Sequence, residues 1–109
     1  MSVVVGVGAL APEDVVRVAR EAALVELSPG AREAVVASRV VVDELAASDT
    51  PVYGVSTGFG ALATRHIEPA LRSQLQKSLI RSHAAGAGPR VENEVVRALM
   101  LLRLSTLAT

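Results

Sequence analysis

Tyr53 lies in the segment Val52-Tyr53-Gly54-Val55-Ser56-Thr57-Gly58-Phe59-Gly60, which holds the only tyrosine and the only phenylalanine of the 109 residues. Glycines at 54, 58 and 60 let the backbone turn tightly and approach another group closely. A phenol held by such a backbone is a candidate acid or base. With an unperturbed pKa of ~10, it can act as a base at neutral pH only where the site stabilises phenolate. The plain structural alternative is a glycine-rich hairpin with Tyr53 half-buried beneath it. A second polar pair, Ser82 and His83, closes the stretch QLQKSLIRSH just before Ala84-Ala85-Gly86. An imidazole can both donate and accept a hydrogen bond, so His83 could bind a polar group. Otherwise it is a helix-end histidine paired with backbone. His66 stands seventeen positions before His83, outside any HExxH-type spacing, and reads as a surface or structural residue. No metal site is expected.

These groups need elements to position them. Val3, Val4 and Val5 form a β-branched run and predict a short strand. Pro12, followed by Glu13 and Asp14, predicts a helix start, with Val15, Val16, Val18, Ala19 and Ala22 on its apolar side. Residues 23–27 read as a second extended segment. Ser28-Pro29 reads as a cap and first helical residue, opening a helix over about 29–47. That helix is apolar nearly all round at Val40 to Val42 and predicts burial on several sides. Glu68-Pro69 opens the helix that leads to His83, with Leu71, Leu75, Leu79 and Ile80 at helical spacing. The glycines at 86 and 88 are expected to stop it. A last helix from about residue 91 carries Val95, Leu99, Leu102 and Thr106, and its pattern runs to the end of the chain. Gln74, Lys77 and Arg81 read as solvated positions.

Composition narrows the classes. Eleven basic and eleven acidic residues balance, so nothing favours nucleic acid or an anionic membrane as partner. Ten of the eleven basic residues are arginines, scattered rather than striped. Cysteine is absent, which excludes disulfides, thiolate metal sites and cysteine nucleophiles. The opening MSVVVGVGALA imitates a signal peptide but has no Lys or Arg ahead of its apolar run. A cytoplasmic protein is expected, and no apolar stretch approaches the ~20 residues of a membrane span.

Three blocks, VYGVSTGFGALA (Val52 to Ala63), LQKSLIRSHAAGAG (Leu75 to Gly88) and VVRALMLLRLSTLA (Val95 to Ala108), resemble the aromatic amino acid ammonia-lyases in both order and spacing. The first half of the chain fits more loosely, and Ser56 stands where many members carry Asn or Thr. The resemblance implies a mainly α fold: the N-terminal part of the helix-rich, aspartase-like lyase fold, with short strands near the start and a Gly-rich loop at 53–60. It also implies that residues 1–109 are a single partial domain of a longer, homotetrameric enzyme.

By resemblance, Tyr53 is the catalytic base that removes the β-hydrogen, and Gly60 is the glycine whose backbone lies against the bound amino acid. Ser82 and His83 match the substrate-selecting pair of histidine-selective members, which convert L-histidine to urocanate and ammonia in histidine catabolism. The family's electrophile, 4-methylidene-imidazol-5-one (MIO), forms from an internal Ala-Ser-Gly tripeptide. Here Ala37-Ser38 is followed by Arg39 and Ala47-Ser48 by Asp49, so the 109 residues contain no such tripeptide.

Other readings stay open at this point. Within the class, the enzyme could be a lyase or aminomutase acting on tyrosine or phenylalanine. Outside it, the chain could be a non-catalytic helical association fragment. VVVGVGALA, with Gly6, Gly8 and then Glu26, also imitates a dinucleotide-binding fingerprint. Pro12 follows at once, however, and residues 29–47 read as helix where a third strand would be needed.

Overall fold

The computed structural model describes residues 1–108. The elements run β1 (Val3–Val5), α1 (Pro12–Glu21), β2 (Val25–Leu27), α2 (Pro29–Ala47), α3 (Pro69–His83) and α4 (Asn93–Leu107), with a 3₁₀ turn at Gly60–Leu62. They fall into two compact units, residues 1–38 with 89–108 and residues 39–88.

In the first unit β1 and β2 pair in parallel, Val3 opposite Val25 and Val5 opposite Leu27. Alternation along β1 buries Val3 and Val5 and leaves Val4 exposed. α1 starts at Pro12, as predicted, with Glu13 and Asp14 in its first turn. It ends on Ala22 in the left-handed region (φ 52°), where a non-glycine residue costs roughly 1–2 kcal/mol. Arg17 O accepts the amides that close this end. α4 packs on α1, and Val3, Val5, Val18, Ala31, Leu101 and Ala108 form the buried cluster. Ser28 caps α2 through its hydroxyl, which accepts the Ala31 amide at 3.1 Å. Its own amide donates to Val5 O at 2.9 Å, so one residue ends the sheet and starts the helix.

A parallel pair joined by a helix is what a nucleotide fingerprint needs. Here α2 follows directly, and no third strand extends the pair among the described residues. Glu26 sits in β2 opposite Val4, on its exposed face.

α2 spans the predicted residues, but the predicted burial differs. Only Ala31 is buried, while Val35, Val36, Val40, Val41 and Leu45 are exposed. The second unit comprises the end of α2, the loop through Tyr53, and α3. α3 ends at His83, ahead of the glycines expected to stop it. The side chains of Ser82 and His83 already engage the Leu79 carbonyl there. No described helix is long and apolar enough to cross a membrane.

Candidate functional site

The Tyr53 loop is built around two buried hydroxyls. Ser56 and Thr57 are 0% and 1% exposed. Ser56 Oγ accepts the Val52 amide at 2.9 Å, and Thr57 Oγ1 accepts the Gly54 amide at 3.3 Å. Tyr53 is therefore flanked on both sides by an amide pinned to a buried side chain. Thr57 then donates to Gly58 O at 3.0 Å, and no described buried side-chain polar atom lacks a partner. Ser/Thr hydroxyls bonding local backbone in this way hold a turn that neither helix nor sheet could form.

The loop closes on the segment after it. Gly58 N donates to Arg65 O (3.1 Å) and Ile67 N to Ser56 O (2.8 Å), around an isolated antiparallel bridge between Thr57 and His66. Gly58 is glycine by close approach. A Cβ there would lie 2.5 Å from Leu62 Cβ and 2.9 Å from Leu62 O. Gly54 and Gly60 are glycines by conformation, at φ 74° and 56°. Gly60 is exposed, opens the 3₁₀ turn, and has nothing within 4 Å of a built Cβ.

The expectation that Tyr53 lies half-buried beneath a hairpin is corrected by this geometry. The tyrosine is 62% exposed. Its ring meets Phe59 edge to face, with centroids 5.6 Å apart. Ser56 and Thr57 are the buried side chains of the loop instead.

Ser82 and His83 are exposed at the end of α3. Ser82 Oγ donates to Leu79 O at 2.8 Å. His83 Nδ1 lies 2.9 Å from the same oxygen and 3.0 Å from Ser82 Oγ. A carbonyl only accepts, and the serine proton is already engaged there, so Nδ1 carries the proton of the neutral ring. Nε2 is then left as a hydrogen-bond acceptor.

Tyr53 makes no hydrogen bond or ring contact with Ser82 or His83 among the described residues. α3 relates them indirectly, because Gln76 Nε2 donates to Gly54 O at 3.4 Å. His83 lies seven residues beyond Gln76, on the same helix face and about 10 Å along the axis. His66 accepts from Arg72 at 3.3 Å. The buried roles of Ser56 and Thr57, and those of Arg72 and Gln76, were not legible from residue type. A Ser-Thr pair between glycines was the only signal for the first two. The described residues hold no cluster of metal-ligating side chains.

A family model described as aromatic amino acid lyase matches residues 10–109. The chain is similar to a histidine ammonia-lyase of Streptomyces griseus, 65% identical over 99% of this chain and 21% of the relative. Among solved structures it is similar to tyrosine aminomutase from Streptomyces globisporus (TM-score 0.90, 35% identity, 99% of this chain and 20% of that one). It is also similar to the ergothioneine-degrading ergothionase from Treponema denticola (TM-score 0.93, 30% identity, 99% and 22%). The chain thus spans about a fifth of the length of the relatives it matches.

Proposed function

Because this chain belongs to the aromatic amino acid lyase family, we propose that it contributes the base and the ring-recognition pair of a lyase that eliminates ammonia from L-histidine, giving urocanate. The observation that carries this reading is the clamp on either side of Tyr53. Val52 N and Gly54 N are each held by a buried hydroxyl, while the phenol stands out from the fold. A base is effective when its backbone cannot drift, since small misplacements cost large factors in rate.

In the proposed step the Tyr53 oxygen acts as the base that takes the β-proton of the substrate. The C–H electron pair becomes the Cα–Cβ double bond, and the amine leaves with the Cα–N pair. Gly60, exposed and free of a side chain, lets the backbone lie against the amino acid. His83 Nε2 can accept from the N–H of the substrate imidazole, and Ser82 keeps the ring in the tautomer that allows it. A benzene or phenol ring has no ring N–H to offer that acceptor.

These residues do not fit the role of MIO precursor. Ser38 lies within α2 and is followed by Arg39, and the Ser48 hydroxyl accepts the Thr50 amide in the turn after α2. The electrophile that activates the amine therefore belongs to chain outside these residues. Homotetrameric assembly belongs to the same proposal, supported by the apolar side chains that α2 and α4 leave exposed.

Tyr53→Phe, made in a lyase carrying this segment, tests the base. Turnover of L-histidine should fall by a factor of about 10² or more with KM little changed. Near-normal turnover would return Tyr53 to a structural role. The likeness to aminomutases supports a second reading, action on tyrosine or phenylalanine. A β-amino acid product in place of urocanate would establish it.

A further inference from the structure

We propose that Arg72 is a positioning residue whose single guanidinium clamps both ends of the Tyr53 loop. Its importance for turnover rests on the lyase reading above, whereas the clamp itself does not. Arg72 is half-buried in the first turns of α3, and its side chain runs back toward the helix start. Nε donates to Ile67 O at 3.0 Å, Nη1 to Ala46 O at 2.5 Å, and Nη2 to His66 Nε2 at 3.3 Å. Since guanidinium has no acceptor, His66 Nε2 must accept, and Nδ1 holds the proton of that ring.

Ala46 lies in the last turn of α2, where carbonyls lack intrahelical partners and a cation is favoured by the helix dipole. Ile67 ends the loop just before α3. The excursion that carries Tyr53 therefore leaves and returns at one charged group. From there a chain of hydrogen bonds leads inward: Arg72 Nε to Ile67 O, Ile67 N to Ser56 O, and Val52 N to Ser56 Oγ. It ends on the residue preceding Tyr53.

One turn further along α3, Gln76 reaches Gly54 O on the other side of the tyrosine. Arg72 and Gln76 also line a groove of about 390 Å³ with Arg39, Val42, Ala46 and Val55, so α3 grips the loop along one edge. Arginine suits the task because its planar fork spans three acceptors on two segments at once. A lysine ammonium is a point donor and cannot reach all three in one geometry.

The test uses the full chain, with amide hydrogen exchange followed by NMR at Val52, Gly54 and Ile67, and the α1 and α4 amides as internal controls. Arg72→Ala should speed exchange at the three loop amides by about tenfold or more while leaving the controls unchanged. Arg72→Lys should fall between. Millimolar guanidinium, far below denaturing concentration, should restore protection to Arg72→Ala by filling the vacated space. Unchanged loop exchange in Arg72→Ala would overturn the clamp. Should Arg72→Ala lose protection throughout, Arg72→Lys decides, and loss at the controls as large as in the loop would again overturn it. In a lyase carrying this segment, Arg72→Ala should lower kcat about tenfold with KM within about threefold, and guanidinium should recover it. Inactivity of Tyr53→Phe bears on the base alone, and loop exchange bears on the clamp alone, so the two proposals can fail separately.

Discussion

Tyr53 and Phe59, the two aromatic residues of the chain, stand edge to face with ring centroids 5.6 Å apart and planes at 79°. The pair closes across Gly54, whose absent Cβ would lie 3.2 Å from the Phe59 ring. Phe59 braces the phenol ring, while the hydroxyl clamps brace its backbone. Edge-to-face pairs contribute about 0.5–1.5 kcal/mol beyond area burial. Phe59→Leu should therefore loosen Tyr53 without unfolding the loop. With no tryptophan in the chain, tyrosine emission reports on this residue alone. It should become more accessible to a soluble quencher, and unaltered quenching would show that the ring contact contributes nothing.

Ser56→Ala should destabilise the loop by about 1–3 kcal/mol, because the Val52 amide loses its acceptor in the buried Ser56 hydroxyl. Denaturant melts read by Tyr53 emission measure this. Ser56→Thr keeps the hydroxyl but adds a methyl group at a fully buried position. It should lose less than alanine only where the loop can shift to admit it.

Gly58→Ala and Gly60→Ala should fail for different reasons. At 58 the new methyl meets Leu62 Cβ and the Leu62 carbonyl, an overpacking that costs about 1–3 kcal/mol. Trimming the Leu62 side chain to alanine cannot cure it, since Cβ and backbone remain. At 60 space is open but φ is positive, so the cost is the left-handed strain of roughly 1–2 kcal/mol. Gly60→Asn, which tolerates that region, should recover part of it. Equal losses for Ala and Asn at 60 would contradict a purely conformational requirement.

Ser82→Phe with His83→Leu, placed in a lyase carrying this segment, should lower kcat/KM for L-histidine and raise its ratio for L-phenylalanine over L-histidine. A polar group desolvated by the bound ring and left unpaired by it costs about 1–3 kcal/mol, so a shift of tenfold or more is expected. Full reversal is not, because other residues must also meet the ring. An unchanged ratio would reduce His83 to the helix-end residue that its bond to Leu79 O already makes it.

The 109 residues, lacking Ala-Ser-Gly, should release no urocanate from L-histidine, measured by its absorbance. The same preparation should self-associate, since Val36, Val40, Val41, Leu99, Met100 and Leu102 are all at least half exposed. A monomeric mass in sedimentation with a sharp cooperative melt would contradict the second expectation, and urocanate formation the first.

Helix starts at Pro12, Pro29 and Pro69, the strand at Val3–Val5 and the cap at Ser28 were all legible in the sequence. Each depends on a local cause: a ring that locks φ, a hydroxyl within reach of a nearby amide, a β-branched run. The resemblance carried by the three blocks was legible for the same reason, because residue types at set spacings are what a sequence records. The boundary of α3 was less so. Glycines 86 and 88 suggested the stop, but side chains at 82 and 83 had already turned to the Leu79 carbonyl.

Only the tertiary structure decided that Tyr53 faces outward while Ser56 and Thr57 take the interior, and that Ala46, His66 and Ile67 converge on Arg72. Most of those acceptors are backbone carbonyls, and every residue has one. Nothing in a string of side-chain letters says which carbonyl an arginine will find 26 residues away. That choice belongs to the path of the chain, and it is made only when α2, the loop and α3 fold together.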